Sequence, residues 1–487
     1  MAYTTINKST AHMNTKTYSG TNSTNAQTGV GFKPDLSWIK DRGQNGHNHN
    51  LTDSVRGAPK ILMSDSTTGE ITDSTDALTS FDTDGFTLGA NTTGTQSQEL
   101  NKNGNTYAAW NWLAGGAAPT KTYKVVVVSD SGNKYRFRNS ADDTTFGESA
   151  VTLDLQEGGT YTFDVSDSTL NSHPFVIGTA ANGTEYSTGV TYKLDGVTKT
   201  YSQYTSGFSA ATSRQLIITV AASAPALYYW CSAHSGMGGA INTNATFGSS
   251  NFDGNLQSLV STNTTAGFSV VRYTGNGSAS ATVGHGLGGT IDQIWQKDLT
   301  ATDSWHIYTT GMSSGYNLYF NNSGQAQNPS DGSVNNFTST TYGFNANGGN
   351  VNAVNENAIP CITYCFKSIP GYSSYGVYNG NGQNDGAFVY TGFAPKWLMC
   401  KKYGGGGSWG IVDIKRDSNG QYGHDNHIAA DTADAETTSG TLNAALFSNG
   451  FKLMSNNSDF NASGSLYLYA AIGETEVGTN NIPATAF

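Results

Sequence analysis

An all-β, multi-domain fold follows from three observations on the sequence. Polarity comes from Ser, Thr, Asn and 59 Gly rather than from charge, since Asp, Glu, Lys and Arg make up only 13% of 487 residues. Stretches such as SLYLYAA alternate apolar and polar residues, and Gly/Asn/Asp turns recur about every 8–12 residues. The chain also repeats itself, at a spacing near one domain. No segment keeps a 3.6-residue period for long. Aromatics at 11% set the chain apart from a disordered one. The length implies three or four domains.

The repeats justify the individual units. Tyr18 opens YSGTN, Tyr273 opens YTGNG and Tyr378 opens YNGNG. Each is followed by an apolar segment ending in lysine: FKPDLSWIK to Lys40, LGGTIDQIWQK to Lys297 and FAPKWLMCK to Lys401. WHIY at Trp305 and WGIV at Trp409 come next in the second and third copies, while the first has LTDSVRG at Leu51. A Gly-Phe step then appears at Gly85, Gly343 and Gly450. From the opening Tyr to that Phe the three copies count 68, 71 and 73 residues. Tyr273 to Tyr378 is 105 residues, whereas Tyr18 to Tyr273 is 255, so a further domain follows the first copy. The expected division is 1–17 as an N-terminal segment, 18–117 as repeat 1, 121–246 as the inserted domain, 265–370 as repeat 2, 372–475 as repeat 3 and 476–487 as a tail.

Antiparallel units of this size suit a two-sheet sandwich or jelly roll. The start MAYTTI, the Y-x-G-N-G and F-x-P-D-L-x-W-I-K patterns, D-S-V-R-G from Asp53 and the D-G-F step resemble a repeat family of virion proteins in tailed phages of marine bacteria. That resemblance implies concanavalin-like jelly rolls and a place in tail fibres or other parts of the particle. It spans roughly 300 residues in three copies. The second copy departs from it, lacking the proline and the D-S-V-R-G.

The inserted domain begins near Lys121. TYKVVVVSDSGNKYRFRN reads as strand, turn and strand, with VVVV at Val125–Val128 β-branched throughout. VTLDLQEGGTYTFDVSD reads as a hairpin turning at Glu157-Gly158-Gly159. NSHPFVIG, RQLIITVAA and ALYYW read as further strands. No helix is expected, and about 125 residues suit one sandwich.

LYYWCSAHSGMGG places Cys231, His234 and Met237 within seven residues. A blue-type copper site takes two imidazoles, one thiolate and a weak thioether. His173, restrained by Pro174, supplies an earlier imidazole. Gly236, Gly238 and Gly239 allow the loop to turn sharply. Cys-x2-His-x2-Met, with His173 58 residues upstream, resembles the ligand loop of the cupredoxin family. Carried over, the resemblance implies that His173, Cys231, His234 and Met237 bind copper, with Trp230 a departure in detail. A cupredoxin shell without metal stays open as the other reading.

Other clusters carry weaker chemistry. His47 and His49 in HNHN, and His424, Asp425 and His427 in GHDNH, read as polar loops with metal binding as the minor reading. Gly404–Gly407 is followed by no helix with Lys-Ser/Thr, so it is no phosphate loop. Asp82 and Asp84 read as turn formers rather than an acid/base pair. Cys361 and Cys365 lie on one strand face, roughly 13 Å apart, too far for a disulfide. With Cys400 they read as buried thiols.

A net charge of −11 argues against nucleic acid or an anionic membrane as partner. No run of about 18 apolar residues is present, and the N-terminus does not read as a signal peptide. Three classes remain: a virion structural or adhesion protein, a copper electron-transfer protein and a glycan-active enzyme. The expectation is the first, non-enzymatic: a tail-fibre or spike-type protein made in the host cytoplasm and displayed on the virion surface. Its expected partners are other virion proteins and a host receptor or glycan. It is expected to be a homo-oligomer, with a trimer favoured.

Overall fold

A computed structural model describes residues 4–92, 100–116, 118–244, 248–300, 302–346, 350–417, 425–438 and 442–473. The chain is all-β and multi-domain. Three two-sheet units share one strand plan. In unit 1 the larger sheet runs Met13–Ser19, Thr106–Trp112, Leu36–Asp41, Asn50–Asp53, and the smaller runs Asn25–Thr28, Gly85–Leu88, Leu78–Asp82. Unit 3 repeats this with Ser373–Asn379, Leu466–Gly473, Pro395–Lys402, Gly410–Asp413, and Phe388–Tyr390, Gly450–Leu453, Ala444–Phe447. Unit 2 does so with Phe268–Thr274, Pro360–Phe366, Gln293–Asp298, His306–Thr309, and Thr282–Gly284, Thr341–Asn345, Ser333–Asn335. Two upstream strands, Ser249–Asn251 and Ser258–Asn263, extend its larger sheet.

The sequence repeats mark equivalent packing points. Tyr18, Tyr273 and Tyr378 donate to the carbonyls of Leu100, Val354 and Phe460. Their rings meet Phe86, Phe344 and Phe451 of the Gly-Phe steps at 6.1, 6.0 and 5.9 Å. The glycine two residues after each Tyr is required by space: a Cβ on Gly20, Gly275 or Gly380 would stand 2.1, 2.1 or 2.4 Å from the carbonyl oxygen of Lys102, Glu356 or Ala462. Between those carbonyls lies a buried asparagine, Asn101, Asn355 or Asn461. Each one's Oδ1 accepts from a backbone N–H of the post-glycine loop (Thr21, Asn276 or Asn381).

The larger sheets are buried on both faces. One face meets the unit's own smaller sheet; the other meets the two sister units in a shared aromatic hub. Trp38, Trp110 and Trp112 come from unit 1, Trp295, Trp305 and Phe320 from unit 2, and Trp397 and Trp409 from unit 3. Trp112 packs edge-on to Trp295 and Trp397 at 6.3 and 5.7 Å. Strands Leu36–Asp41 and Gln293–Asp298 are buried at every position, so period-two alternation is absent there.

Polar bonds repeat around the hub and close a ring rather than an extended row. Glu70 N–H donates to Leu299 O (2.7 Å), Ala326 N–H to Tyr403 O (2.9 Å) and Glu436 N–H to Arg42 O (2.9 Å), one bond at each seam. Trp305 Nε1–H donates to Met63 O (2.8 Å), Trp409 Nε1–H to Tyr319 O (2.7 Å), and His49 Nε2 to Ala429 O (3.0 Å). Lys40 reaches Ala433 O of unit 3, and Lys401 reaches Gly324 O of unit 2. Two of the repeat-ending lysines, Lys40 and Lys401, are therefore buried seam donors, while buried Lys297 donates to Asp298 O of its own unit.

The D-S-V-R-G motif is a buried ion pair. Arg56 bonds Asp53 and the carbonyl of Leu51, and Tyr364 of unit 2 donates to Asp53 Oδ2 at 2.9 Å. Unit 3 carries the same pair as Asp413 and Arg416, with Trp110 of unit 1 donating to Asp413 at 2.9 Å. Unit 2 has Thr309 and Met312 at these positions. The equivalent of Tyr364 and Trp110 is Ala470, which has no donor, so no buried carboxylate is called for there.

The inserted domain stacks a six-stranded on a four-stranded sheet, both mixed. Thr120–Ser129 and Asn133–Phe137 form the expected antiparallel pair. Glu157–Gly159 does not turn a hairpin. Leu153–Gln156 pairs in parallel with Ala240–Asn244 in one sheet, and Thr160–Asp164 pairs with Thr120–Ser129 in the other. The turn therefore carries the chain between sheets, because Leu153, Leu155, Tyr161 and Phe163 all enter the core from facing sheets. A helix not expected from the sequence, Tyr201–Gly207, forms on a capping box of Thr200 and Gln203. The insert is fixed to the ring: Phe252, just after Ser249–Asn251, stacks on Phe137 at 4.7 Å, and Tyr123 donates to Ser250 O.

Replacing the Trp409 indole by phenyl removes one seam bond and leaves a void in the hub. Trp409→Phe is expected to cost about 2–4 kcal/mol in denaturant unfolding, and a loss under about 0.5 kcal/mol would contradict the hub's role. His306 is fully enclosed, and burial, then Lys297, hold its pKa down to about 3. Its folded pKa lies below the unfolded value, so the stability it carries is present above pH 6.5 and is lost as pH falls toward 3. Relative to wild type, His306→Gln is expected to gain about 2 kcal/mol between pH 6.5 and 4.5, read as the change in their difference in unfolding free energy.

Candidate metal centre

Strand register brings the expected ligands together. Phe175 pairs with Cys231, and Ser232 N–H donates to Pro174 O at 3.0 Å, which sets His173 beside the start of the Cys231 loop. His173 Nδ1 lies 3.0 Å from His234 Nδ1, and Cys231 Sγ lies 3.8 and 3.6 Å from those two nitrogens. Bonds of about 2.0 Å to nitrogen and about 2.3 Å to sulfur would place donors about 3.2 Å (N···N) and 3.6 Å (S···N) apart. The three atoms are thus already spaced to share one ion. Cys231 and His173 are buried and His234 faces solvent.

Met237 completes the loop. Its side chain is 1% exposed and belongs to the same core cluster as Cys231. Gly236 adopts φ +74, the left-handed region, and a Cβ on Gly238 would meet Tyr229 O at 1.8 Å. These two glycines let the chain turn sharply on either side of Met237, and the donor atoms brought together are those of His173, Cys231 and His234.

Sequence reading missed the residues that hold the ligands. Asn133 Nδ2 lies 3.3 Å from His173 Nε2, the nitrogen turned away from the cluster. Its amide has both a donor and an acceptor edge, so it can hold the ring in either protonation state. Lys134 Nζ bonds Gly236 O, Tyr135 N–H donates to Met237 O (2.9 Å), and Tyr135 OH donates to His173 O (2.9 Å). Three consecutive residues of one strand therefore grip both halves of the site. The Gly132 turn before an alternating N-K-Y-R-F strand was the available signal, but its partners are 40 and about 100 residues away. Burial, then the neighbouring His234 ring, lowers the His173 pKa, which favours the neutral ligand form.

The remaining candidates are structural. His47 and His49 are buried rather than in an open polar loop. His47 Nδ1 pairs with Asp41 of its own unit at 2.8 Å; His49 accepts from Trp38 Nε1 (2.9 Å) and donates to Ala429 O, so the His49 imidazole serves the seam. His424 lies outside the described residues; His427 is buried and its backbone pairs with Thr437. Asp84 stands in the turn before Gly85, and its carboxylate accepts from Gly29 and Gly31 N–H, tying that turn to a second loop. Cys361, Cys365 and Cys400 are free and buried, and burial raises Cys361 and Cys400 to about 12.

A family model described as "Domain of unknown function (DUF7483)" matches residues 8–138 and 241–476. The chain belongs to this family. The DUF7483 match takes in the three ring units and leaves out 139–240, the stretch that carries His173, Cys231, His234 and Met237. The match also takes in the insert strands Thr120–Ser129 and Asn133–Phe137. No curated protein and no solved structure matches the chain.

Copper-loaded protein is expected to show an intense blue or green thiolate–copper band that Cys231→Ser abolishes. Asn133→Ala should keep the band but weaken copper affinity about 10–100-fold in a chelator competition, as loss of a ligand-orienting contact does. A colourless, metal-free protein after copper loading would eliminate the site.

Proposed function

We propose that this DUF7483 protein is a non-enzymatic virion component of a tailed phage, displayed on the particle and used to attach it to the host surface. The observation that carries this reading is the closed ring of three like units around one aromatic hub. A ring with no free hub face is a rigid mount, and its turns and outer faces are rich in Asn, Ser, Thr and Gly. The resemblance of the repeats to phage virion sandwiches, with concanavalin-like jelly rolls, points the same way. The polar loops are suited to a host receptor or glycan, and several copies on one particle would raise weak binding through effective concentration. A homo-oligomer, with a trimer favoured, belongs to the same reading. Among the described residues no helix is long and apolar enough to cross a membrane.

The His173–Cys231–His234 cluster favours a second reading for the insert, as a cupredoxin-like copper domain in electron transfer or in decorating a capsid or neck. His173, Cys231 and His234, with Met237, would hold the ion, and bound copper supplies a one-electron couple. Cys231 and His173 shield it from water, and His234 stands at the surface where a partner can approach. A bound ion would also tie the loop to strand Phe175–Gly178 and add to folding free energy.

Mass spectrometry and immunogold microscopy of purified particles test the first reading. The chain is expected in stoichiometric amounts on the tail, neck or capsid, and antibody against it should slow adsorption to host cells. Its absence from washed particles would overturn the proposal.

A further inference from the structure

Unit 3 carries an outer face unlike those of its two sisters. Among the described residues the exposed large apolar side chains are Val197, Phe388, Tyr390 and Met454. Phe388 and Tyr390, 48% and 67% exposed, stand two residues apart on strand Phe388–Tyr390 and share one face. Val389 between them enters the core. Tyr390 pairs with Gly450, and Gly450 with Phe447. The missing side chain leaves a gap, and the Phe388 ring reaches within 2.9 Å of where a Gly450 Cβ would stand. Phe447 lies 6.1 Å from Phe388 by ring centres. Phe388 also pairs with Lys452, which is ion-paired to the exposed Asp385.

The sister units provide an internal control. Counted from the Gly-Phe step, the positions of Phe388, Tyr390 and Phe447 are Ala26, Thr28 and Asp82 in unit 1. In unit 2 they are Ser280, Thr282 and Asn335. The fold is built twice with small or polar side chains there, so the aromatic set is not a folding requirement. An exposed aromatic cluster of this kind marks a binding surface.

We infer that this face docks a pyranose ring of a carbohydrate. Size argues against a protein occupant: three partly exposed rings offer at most about 300 Å², against about 800 Å² per partner in a stable protein interface. A pyranose suits the dimensions, since it has one C–H face of ring size and a rim of hydroxyls. Tyr390, Phe388 and Phe447 meet the C–H face. Lys452, Asp385 and the exposed Asn449, next to Gly450, supply donors and acceptors for the hydroxyls. The biological role, host attachment, rests on the reading above; the sugar chemistry rests on the patch alone.

The test is a pyranose oligosaccharide array probed with the full chain as wild type, Tyr390→Ala, Phe388→Ala and Thr28→Ala. Wild type is expected to bind, Tyr390→Ala and Phe388→Ala to bind roughly tenfold more weakly, and Thr28→Ala to match wild type. The exposed positions leave the core untouched, which an unchanged melting temperature verifies. No binding by wild type, or binding by Tyr390→Ala within twofold of it, overturns the inference. Sugar binding through the patch by a chain absent from particles would leave the inference standing and remove the attachment reading. A chain present on particles whose wild type fails to bind the array, or whose Tyr390→Ala variant binds within twofold of it, would do the reverse.

Discussion

Burial of the larger sheet of every unit on its second face, against the two sister units, is the constraint on which the rest of the molecule depends. A sandwich of this size closes one core between its own sheets. Here a second core forms at the centre of three, from Trp38, Trp110, Trp112, Trp295, Trp305, Trp397 and Trp409. Indoles suit that position because each brings a large apolar surface and an N–H that can reach an acceptor, as it does in all of them but Trp112 and Trp397. Trp305 and Trp409 find a carbonyl in the neighbouring unit, Trp110 finds Asp413, and Trp38 finds His49. Hydrophobic burial and seam specificity therefore come from the same side chains.

The buried charges obey the same logic. Lys40 and Lys401 donate to carbonyls across seams, and Arg56 and Arg416 sit on their aspartates with an incoming phenol or indole as the last donor. Where Ala470 removes that donor, Thr309 and Met312 replace the ion pair. An unpartnered buried carboxylate would cost far more than the pair contributes, so the substitutions travel together. A rigid ring of this kind also makes a firm base for the insert, whose core takes in Phe252 from the segment leading into unit 2.

The centre in the insert is assembled across 58 residues between His173 and Cys231, with donor spacings that leave room for one ion. Its support comes from Asn133, Lys134 and Tyr135 on an adjoining strand. Ligand identity and ligand orientation thus arise from separate parts of the chain. The DUF7483 match omits 139–240, which holds the ligand residues, but includes the insert strand that carries Asn133, Lys134 and Tyr135.

The sequence by itself determined the local chemistry: the all-β class, the three repeats, the Tyr and Gly-Phe landmarks and the Cys-x2-His-x2-Met loop. Each of these is written in short-range spacing, where a two-residue period or a close-packed glycine leaves a direct trace. Only the tertiary structure decided what lies across space. The ring, the role of His49 as a seam donor, the equivalence of Asp413–Arg416 to Asp53–Arg56, and the grip of Asn133 on His173 join residues 40 to about 390 positions apart. A strand buried on both faces loses its alternation, so the hub strands looked merely apolar. Two sheets that face each other leave the same apolar pattern as one hairpin, so only the pairing partners show that Glu157–Gly159 carries the chain from one sheet to the other.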